Sequence, residues 1–358
     1  MNKKKIESEE LIPALSLGPD GYSRFFVLVN LLTTTYPKLS NNGAPIKILD
    51  VGGCSPYMSQ QLEASGLSYT LTVLDILPKP DDYEGEYIQA DITKANIPEK
   101  SFDVVISTDT LEHIPAQSKT AFVEACSRIS KDIFILAAPF DTEGVHEAEE
   151  LINEFNKELF GVGQDWLEEH FEYGKPTIEE VSKALDKSNV KYVHFGTNNI
   201  YSWVLSAHLN LTDAKLGLDK DAFTKAKQTY NKNLAMSLEF AEPTYRHFFV
   251  VYRNPKLYNP KPWEAFVDSN EVSLFTEYMH SGMDLLYKRM LELWHSNEST
   301  THSIERLRVE LENEKTHTAK LQQVIEDQTI ELKHLRPFRH IVNTGKKVKR
   351  TALKFRKK

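Results

Sequence analysis

The sequence predicts an α/β fold in which helices cover both faces of a mostly parallel β-sheet. Short apolar segments alternate five times with segments of helical periodicity between residues 20 and 137. The first apolar segment runs into Asp50 and Gly52-Gly53, and acidic residues follow the second and third segments. Because parallel strands end at one edge of their sheet, these residues would converge there as a ligand site.

The first half of the chain supplies five predicted strands. A broad apolar face predicts a helix over residues 20–39, with Tyr36-Pro37 at its end. Apolar runs predict the strands, and periodic segments between them predict the helices. The strands cover residues 46–51, 68–74, 86–89, 102–107 and 133–137, with helices at 56–65 and 119–130.

The second half begins with an acidic segment, from the end of the fifth strand to Tyr173. Because it follows a strand's carboxyl end, we expect it to overhang the ligand as a lid. Its acidity disfavours an anionic substrate and favours neutral sugars or similar polyols. A strand over 189–199, helices over 202–211 and 221–240, and a strand over 245–252 complete the predicted domain.

Composition narrows the class of protein. The net charge is −8, yet residues 336–358 contain ten Lys or Arg and no Asp or Glu, which leaves −18 for the rest. The two cysteines exclude a disulfide framework and suit a reducing compartment. Acidic residues stand where a signal peptide would need its apolar centre, and no apolar run reaches 18 residues. We therefore predict a cytoplasmic protein that does not span a membrane.

The strand ends carry the candidate ligand residues. Glycines at 52 and 53 allow positive φ and close approach of a ligand to the main chain. Asp75 follows Asp50 by twenty-five residues, a spacing at which an acidic residue accepts hydrogen bonds from both ribose hydroxyls of a nucleoside. Arg24, upstream of the glycines, suits a ligand carboxylate, although an ordinary surface arginine is the alternative.

These motifs together resemble those of class I S-adenosylmethionine-dependent methyltransferases over residues 20–254. The resemblance rests on Leu49-Asp50-Val51-Gly52-Gly53, on Asp75, on Ala90-Asp91-Ile92, and on the segment from Phe102 to Ser107 followed by Leu111-Glu112-His113-Ile114-Pro115. It implies a doubly wound, seven-stranded, mostly parallel sheet of the Rossmann-like methyltransferase type, whose last strand is antiparallel. It also implies S-adenosylmethionine as the cofactor.

The resemblance also implies a role for each cofactor residue. Asp50 and Gly52 would support the methionine moiety, and Asp75 the ribose. Gly53 and Ile76, which follow Gly52 and Asp75, are also expected to bind the cofactor. Asp91 and Ile92 would flank the adenine, while Ser107 and Asp109 would lie beside the sulfonium. Cys54 stands where the family usually has its second glycine, so we expect a distorted but functional turn. A degenerate fold that no longer binds cofactor is the alternative.

Methyl transfer to a hydroxyl needs a base, and two histidines follow strand ends that face the predicted site. His113 and His146 are the candidates, although a structural role is equally compatible with each; His170 and His194 are weaker candidates. Acidic residues near His146 only faintly suggest a metal, and none is predicted. Tyr201, Trp203 and Tyr245 would suit stacking on a sugar, although core packing is the alternative.

The C-terminal third predicts a rod and a tail. A proline-rich linker is expected over residues 255–274. An apolar repeat in alternate steps of four and three predicts a coiled coil over 275–335, a dimer or a trimer, although its first segment also suits a helix packed on the domain. Residues 336–358 predict a basic amphipathic helix on an anionic membrane surface, with nucleic-acid binding or a solubilising tail as alternatives.

The whole sequence therefore predicts a peripheral-membrane, homo-oligomeric O-methyltransferase on the cytoplasmic face. Its acceptor would be a sugar hydroxyl of a lipid-linked or surface polysaccharide, since the layout resembles that of bacterial enzymes that methylate such glycans. A small-molecule methyltransferase, a nucleic-acid methyltransferase and a non-catalytic coiled-coil scaffold are the alternatives. Nucleic acid is disfavoured, because Ser107-Thr108-Asp109-Thr110 replaces the Asp/Asn-Pro-Pro-aromatic motif of similar base N-methyltransferases.

Overall fold

A computed structural model describes residues 16–36, 44–53, 55–232, 239–265 and 273–334. Its centre is one seven-stranded sheet with the order β3-β2-β1-β4-β5-β7-β6. The strands are β1 Ile46–Val51, β2 Tyr69–Asp75, β3 Glu86–Gln89, β4 Phe102–Thr108, β5 Ser130–Pro139, β6 Lys191–Asn199 and β7 Thr244–Tyr252.

The sheet is parallel except at its last strand. Neighbouring strands from β3 to β5 pair in parallel, whereas β7 lies between β5 and β6 and is antiparallel to both. The predicted seven-stranded, doubly wound sheet with one antiparallel strand is thereby confirmed. From β1 the chain continues outward through β2 and β3 and then crosses to β4 on the other side of β1. The carboxyl ends of β1 and β4 therefore flank the crevice in which such folds bind ligands.

Helices cover both faces of the sheet. In chain order, the helices of the described residues are α1 Pro19–Thr35, α2 Pro56–Ala64, α3 Ala116–Ile129, α4 Val145–Phe160, α5 Asp165–Tyr173, α6 Ile178–Asp186, α7 Ile200–Leu216, α8 Lys220–Lys232 and α9 Ser273–His334, with short 3-10 turns at Leu111–His113, Pro255–Leu257 and Pro262–Ala265. Successive strand residues point to opposite faces, so Ile48 packs in the cluster under α1 and Leu49 in the cluster under α3. This two-sided burial explains why the strands read as continuous apolar runs.

The predicted linker differs from the structure in its first half. Instead of leaving the domain at Pro255, the chain packs Leu257 and Trp263 against the apolar cluster under α1. The Trp263 ring lies 4.7 Å from the ring of Phe195, and the Tyr252 hydroxyl donates to the Asn259 carbonyl oxygen at 3.2 Å. Burial of large aromatic side chains stabilises the packing of this segment on the domain, although its prolines are typical of a linker. The second half of the predicted linker lies largely outside the described residues.

Helix α9 belongs to two compact units, one ending at Tyr287 and the other beginning at Lys288. In the first unit Leu285 is buried in a cluster with Leu205, Leu209 and Phe223. The beginning of α9 therefore packs on the domain as an ordinary helix, as the alternative interpretation had it. A coiled coil over the rest of 275–335 stays a prediction. In the second unit α9 is one continuous helix, and the predicted tail lies outside the described residues.

Among the described residues, no helix combines the length and the apolar character needed to cross a membrane.

Candidate active site

A cavity of about 700 Å³ opens at the carboxyl ends of the first strands. Its walls come from the turn after β1, the end of β2, the turn after β3 and the segment after β4, and Glu169 and Tyr173 of α5 face it from the opposite side. The acidic segment thus covers the crevice, as predicted. A cavity of this volume accommodates a nucleoside-sized ligand. Five of the predicted cofactor residues and one predicted neighbour of the sulfonium line it: Gly52, Asp75, Ile76, Asp91, Ile92 and Asp109.

Gly52 keeps the floor of the larger cavity close to the main chain. Its φ is +75°, a conformation that side chains rarely adopt, and a Cβ there would lie 2.4 Å from Cγ2 of Thr110. Its amide donates to the Leu74 carbonyl oxygen at 2.8 Å, which joins the turn to β2. Glycine is therefore the residue that this turn requires.

Acidic side chains stand at two further strand ends. Asp75 accepts a hydrogen bond from the Leu77 amide at 2.9 Å through Oδ1 and faces the larger cavity. Asp91 accepts from the amide and hydroxyl of Thr93 and pairs with Lys94 at 2.7 Å; the hydrogen bonds from Lys94 and Thr93 lower the pKa of its carboxyl. Both carboxylates are thus fixed at the rim where the ribose and adenine are expected.

Four predicted cofactor residues do not line the cavity. Asp50 is buried beneath the glycine turn, where burial raises the pKa of its carboxyl to about 7, and Gly53 lies directly above it. Ser107 is buried with its hydroxyl unpaired. Arg24 turns to Asp109, with Nη1 2.5 Å from Oδ2. The predicted distortion at Cys54 lies outside the described residues.

A second cavity of about 210 Å³ adjoins the first. Asp109 and His113 line both, so they mark the junction. The remaining lining comes from distant segments and is both aromatic and charged: Asp20, Glu112, Pro139, Trp166, His170, Trp203, Tyr245 and Arg246. Trp203 and Tyr245 line this site, but both are buried in an apolar cluster and stacked on each other at 4.0 Å, as the core-packing alternative predicts. Tyr201 is exposed elsewhere.

A buried arginine organises the wall of the smaller cavity. Arg246 of β7 is 1% exposed, and its Nε and Nη2 donate to the two carboxylate oxygens of Asp109 at 2.8 and 2.6 Å. Its Nη1 donates to Asp20 at 2.9 Å. Burial opposes the ionisation of Asp109, but the Arg24 and Arg246 guanidinium groups outweigh it and lower its pKa to about 2. Asp109 also has φ of +49°, so this network holds a strained residue at the junction.

Two histidines meet at the same place. The rings of His113 and His170 lie 4.8 Å apart, and each places Nδ1 against a carboxylate: Glu169 at 2.7 Å for His113 and Glu149 at 2.8 Å for His170. Burial, together with the neighbouring His170 ring, lowers the pKa of His113. A neutral imidazole at the junction is therefore able to accept a proton.

The other predicted base is in the wrong place. His146 is exposed on α4, where it pairs with Glu150 at 3.2 Å, and it lines neither cavity. The sequence ranked His146 above His170 as a candidate base, and this ranking is wrong, because α5 brings His170 to the site whereas α4 places His146 away from it. Glu112 and Arg246 were not predicted from the sequence as site residues. Glu112 could have been found from its position beside His113, whereas no local signal indicated Arg246.

Residues 49–133 match the family model described as a methyltransferase domain. No curated protein matches the chain. Solved structures that resemble it include the plantazolicin methyltransferase BpumL in complex with a pentazolic desmethylPZN analog and SAH, at 15% identity and TM-score 0.38, covering 70% of this chain and 99% of that one. Magnesium protoporphyrin IX methyltransferase from Synechocystis PCC 6803 with bound SAH has 11% identity and TM-score 0.36, covering 63% and 82%. Phosphoethanolamine N-methyltransferase 2 of Haemonchus contortus, with S-adenosyl-L-methionine, has 14% identity and TM-score 0.38, covering 63% and 52%.

The domain match and the cavity at the strand ends define the class. The chain carries a methyltransferase domain over residues 49–133, and S-adenosylmethionine is the cofactor of that domain. The residues present fit that group: the Gly52 turn leaves room at the main chain, and Asp75 and Asp91 stand at the next two strand ends.

Proposed function

We propose that the enzyme transfers a methyl group to a sugar hydroxyl of a lipid-linked or surface polysaccharide. One observation carries the proposal: Asp109 and His113 line both the cofactor-sized cavity and the smaller one. An acceptor in the smaller cavity would meet the methyl donor at this junction. S-adenosylmethionine supplies a methyl group that is already activated on sulfur, so positioning and removal of the acceptor proton are what the protein must add.

The lining of the smaller cavity supports a neutral, hydroxyl-rich acceptor. Trp203 and Tyr245 line it with aromatic rings that are stacked on each other, and the Asp20 side chain, which is 31% exposed, offers an acceptor for a sugar hydroxyl. The guanidinium groups of Arg24 and Arg246 balance the carboxylates of Asp20 and Asp109 through their ion pairs. An anionic acceptor would therefore gain little here, and the cavity volume suits one terminal sugar unit of a longer chain.

His113 is the residue that we propose to promote loss of the acceptor proton. In the transfer, the oxygen lone pair forms the bond to the methyl carbon, the carbon–sulfur bond breaks and its electron pair stays on sulfur. The hydroxyl proton passes to Nε2 of His113, whose Nδ1 lies against Glu169. Asp109 holds its orientation through Arg24 and Arg246 rather than taking part in proton transfer, because its lowered pKa keeps it ionised.

Glycans from cells that lack this protein test the acceptor. We expect them to miss one O-methyl group, and the purified protein with labelled S-adenosylmethionine should restore it at a single hydroxyl. His113→Gln should lower kcat by about 100-fold, the range for removing proton-transfer assistance, with an unchanged affinity for the cofactor. His146→Gln is the matched control and should retain full activity. Glycans with an unchanged methyl content, or equal activity of the two variants, would contradict the proposal.

The second unit supports self-association, which we propose to occur as a coiled coil. Apolar seam residues of α9 are exposed in the single chain, among them Ile304, Leu307 and Leu311. A helix with such a stripe gains stability by burying it against another copy. The full-length protein should sediment as a dimer or trimer, and Leu307→Glu with Leu311→Glu should shift it to a monomer. Val309→Glu, an equally exposed apolar position off the repeat, should leave it associated; a monomeric wild type would refute the rod.

The basic tail, residues 336–358, lies outside the described residues and is proposed from its sequence to bind anionic lipid. Each Lys or Arg near such a surface contributes about 1 kcal/mol, and the interleaved apolar side chains add to it. Deleting the tail should abolish flotation with vesicles that contain phosphatidylserine, while cofactor affinity stays unchanged. Flotation of the truncated protein at the wild-type level would contradict this proposal.

A further inference from the structure

Three potential metal ligands meet at the bottom of the smaller cavity. Glu112, His113 and His170 each offer one ligand atom, and these atoms lie within 4.8 Å of one another. Ligand atoms about 2.0–2.2 Å from an ion in a tetrahedral site lie about 3.3–3.6 Å from one another, so side-chain movements of about an ångström would close the set around a cation. Among the described residues this is the group with ligand geometry.

Two polar atoms of these residues are buried and have no hydrogen-bond partner. Nε2 of His170 and Oε2 of Glu112 make no hydrogen bond, although their residues are only 2% and 1% exposed. Leaving a buried polar atom unpaired costs about 1–3 kcal/mol, and charged groups cost more. Both atoms belong to residues that line the same cavity, so a single cation would satisfy both.

The surroundings of the histidines are those of metal ligands. Each places Nδ1 on a carboxylate, Glu169 or Glu149, which leaves Nε2 as the free nitrogen. Carboxylates that orient imidazoles in this way recur around protein metal sites, because they fix the tautomer and raise the basicity of the ligand. Glu149 is itself held by Lys175 at 2.7 Å and by the Tyr245 hydroxyl at 3.0 Å, so His170 has little freedom to turn.

We propose that Glu112, His113 and His170 bind one divalent transition-metal ion. Two imidazoles and one carboxylate suit Zn²⁺, Fe²⁺, Mn²⁺ or Co²⁺ rather than Mg²⁺ or Ca²⁺, which prefer oxygen ligands. Asp109 is excluded as a ligand, because Arg24 and Arg246 already engage both of its oxygens. Three protein ligands leave a position open towards the cavity.

The role of the ion, unlike its binding, rests on the proposed function. A cation held by these residues would lower the pKa of an acceptor hydroxyl, and the proton would then pass to solvent, because the ion would occupy the nitrogen of His113 that otherwise accepts it. His113 would promote loss of the proton as a ligand of the ion. This role explains why His113 lies against the Glu169 carboxylate through Nδ1 and against the ring of His170.

Titration of the chelator-treated full-length protein with Co²⁺ tests the site. We expect one ion per chain, with the visible absorption of imidazole-bound Co²⁺. Glu112→Gln and His113→Gln should weaken binding at least 100-fold, and Glu169→Gln, which removes only the partner of His113, by about 10- to 100-fold. Glu150→Gln, which removes the partner of His146, is the matched control and should bind as wild type.

Calorimetry with S-adenosylmethionine on the same samples separates the two proposals. Protein that binds the cofactor and methylates the glycan but takes up no Co²⁺ overturns the metal site and leaves the proposed function intact. Protein that binds Co²⁺ through these residues but methylates no glycan overturns the proposed function and leaves the metal site intact. Equal Co²⁺ affinity in Glu112→Gln, Glu169→Gln and wild type places the ion elsewhere and also overturns the site.

Discussion

Asp75→Ala should weaken binding of S-adenosylmethionine about 100-fold. Asp75 ends β2 at the rim of the larger cavity, and its carboxylate is expected to accept hydrogen bonds from both ribose hydroxyls. Each hydrogen bond to a charged acceptor contributes about 1.5–3 kcal/mol, and about 2.7 kcal/mol corresponds to a factor of 100 in affinity. Isothermal titration calorimetry with S-adenosylmethionine measures the change directly.

Two variants control this experiment. Asp81→Ala removes a carboxylate from the exposed segment after β2 that lines no described cavity, and it should leave the dissociation constant unchanged. Asp75→Asn keeps an oxygen for the Leu77 amide and should lose about half of the free energy of binding that Asp75→Ala loses. If Asp75→Ala binds the cofactor like wild type, the assignment of the larger cavity to S-adenosylmethionine is wrong.

Arg246→Met should lower the free energy of unfolding by about 3 kcal/mol. Arg246 is buried, and its guanidinium group pairs with both oxygens of Asp109 and with Asp20. Removing one partner of a buried ion pair costs about 3–5 kcal/mol, because the remaining charge is left without compensation. The lower end is expected here because Arg24 still pairs with Asp109 and the side chain of Asp20 is 31% exposed. Urea denaturation followed by circular dichroism measures the loss.

Arg24→Met removes the second guanidinium group from the same aspartate and is the matched control. Its side chain is 22% exposed and makes one ion pair with Asp109, so the expected loss is about 1 kcal/mol. A larger loss for Arg24→Met than for Arg246→Met would contradict the assignment of Arg246 as the centre of the network.

The stabilisation by Asp109 should also depend on pH. Its pKa is about 2 in the folded protein against 3.8 for the free side chain, so the unfolded chain binds more protons between these values. The contribution is therefore fully present above about pH 4 and is lost as the pH falls towards 2. The difference between wild type and Arg246→Met should shrink in that range; a difference independent of pH would contradict the ion pairing.

The sequence by itself determined the sheet and the cofactor edge. Each of these features depends on a single βα unit. Within a few tens of residues, such a unit contains a buried strand, a polar residue at its end and the helix that follows it. Gly52, Asp75 and Asp91 were predictable because parallel strands bring their carboxyl ends together whatever else the chain does. The repeat of α9 was equally local, although the position where the helix leaves the domain was not, because Leu285 is buried by contacts with α7 and α8.

Tertiary structure alone decided the smaller cavity. Asp20 and Arg246 are 226 residues apart, and no periodicity links them; they meet because β7 lies beside β5 while α1 covers the sheet. The choice between histidines was also tertiary, since His146 and His170 both follow the fifth strand and differ only in how α4 and α5 turn. Sequence patterns report periodic burial and strand ends, whereas a cavity lined by six separate segments depends on how those segments pack.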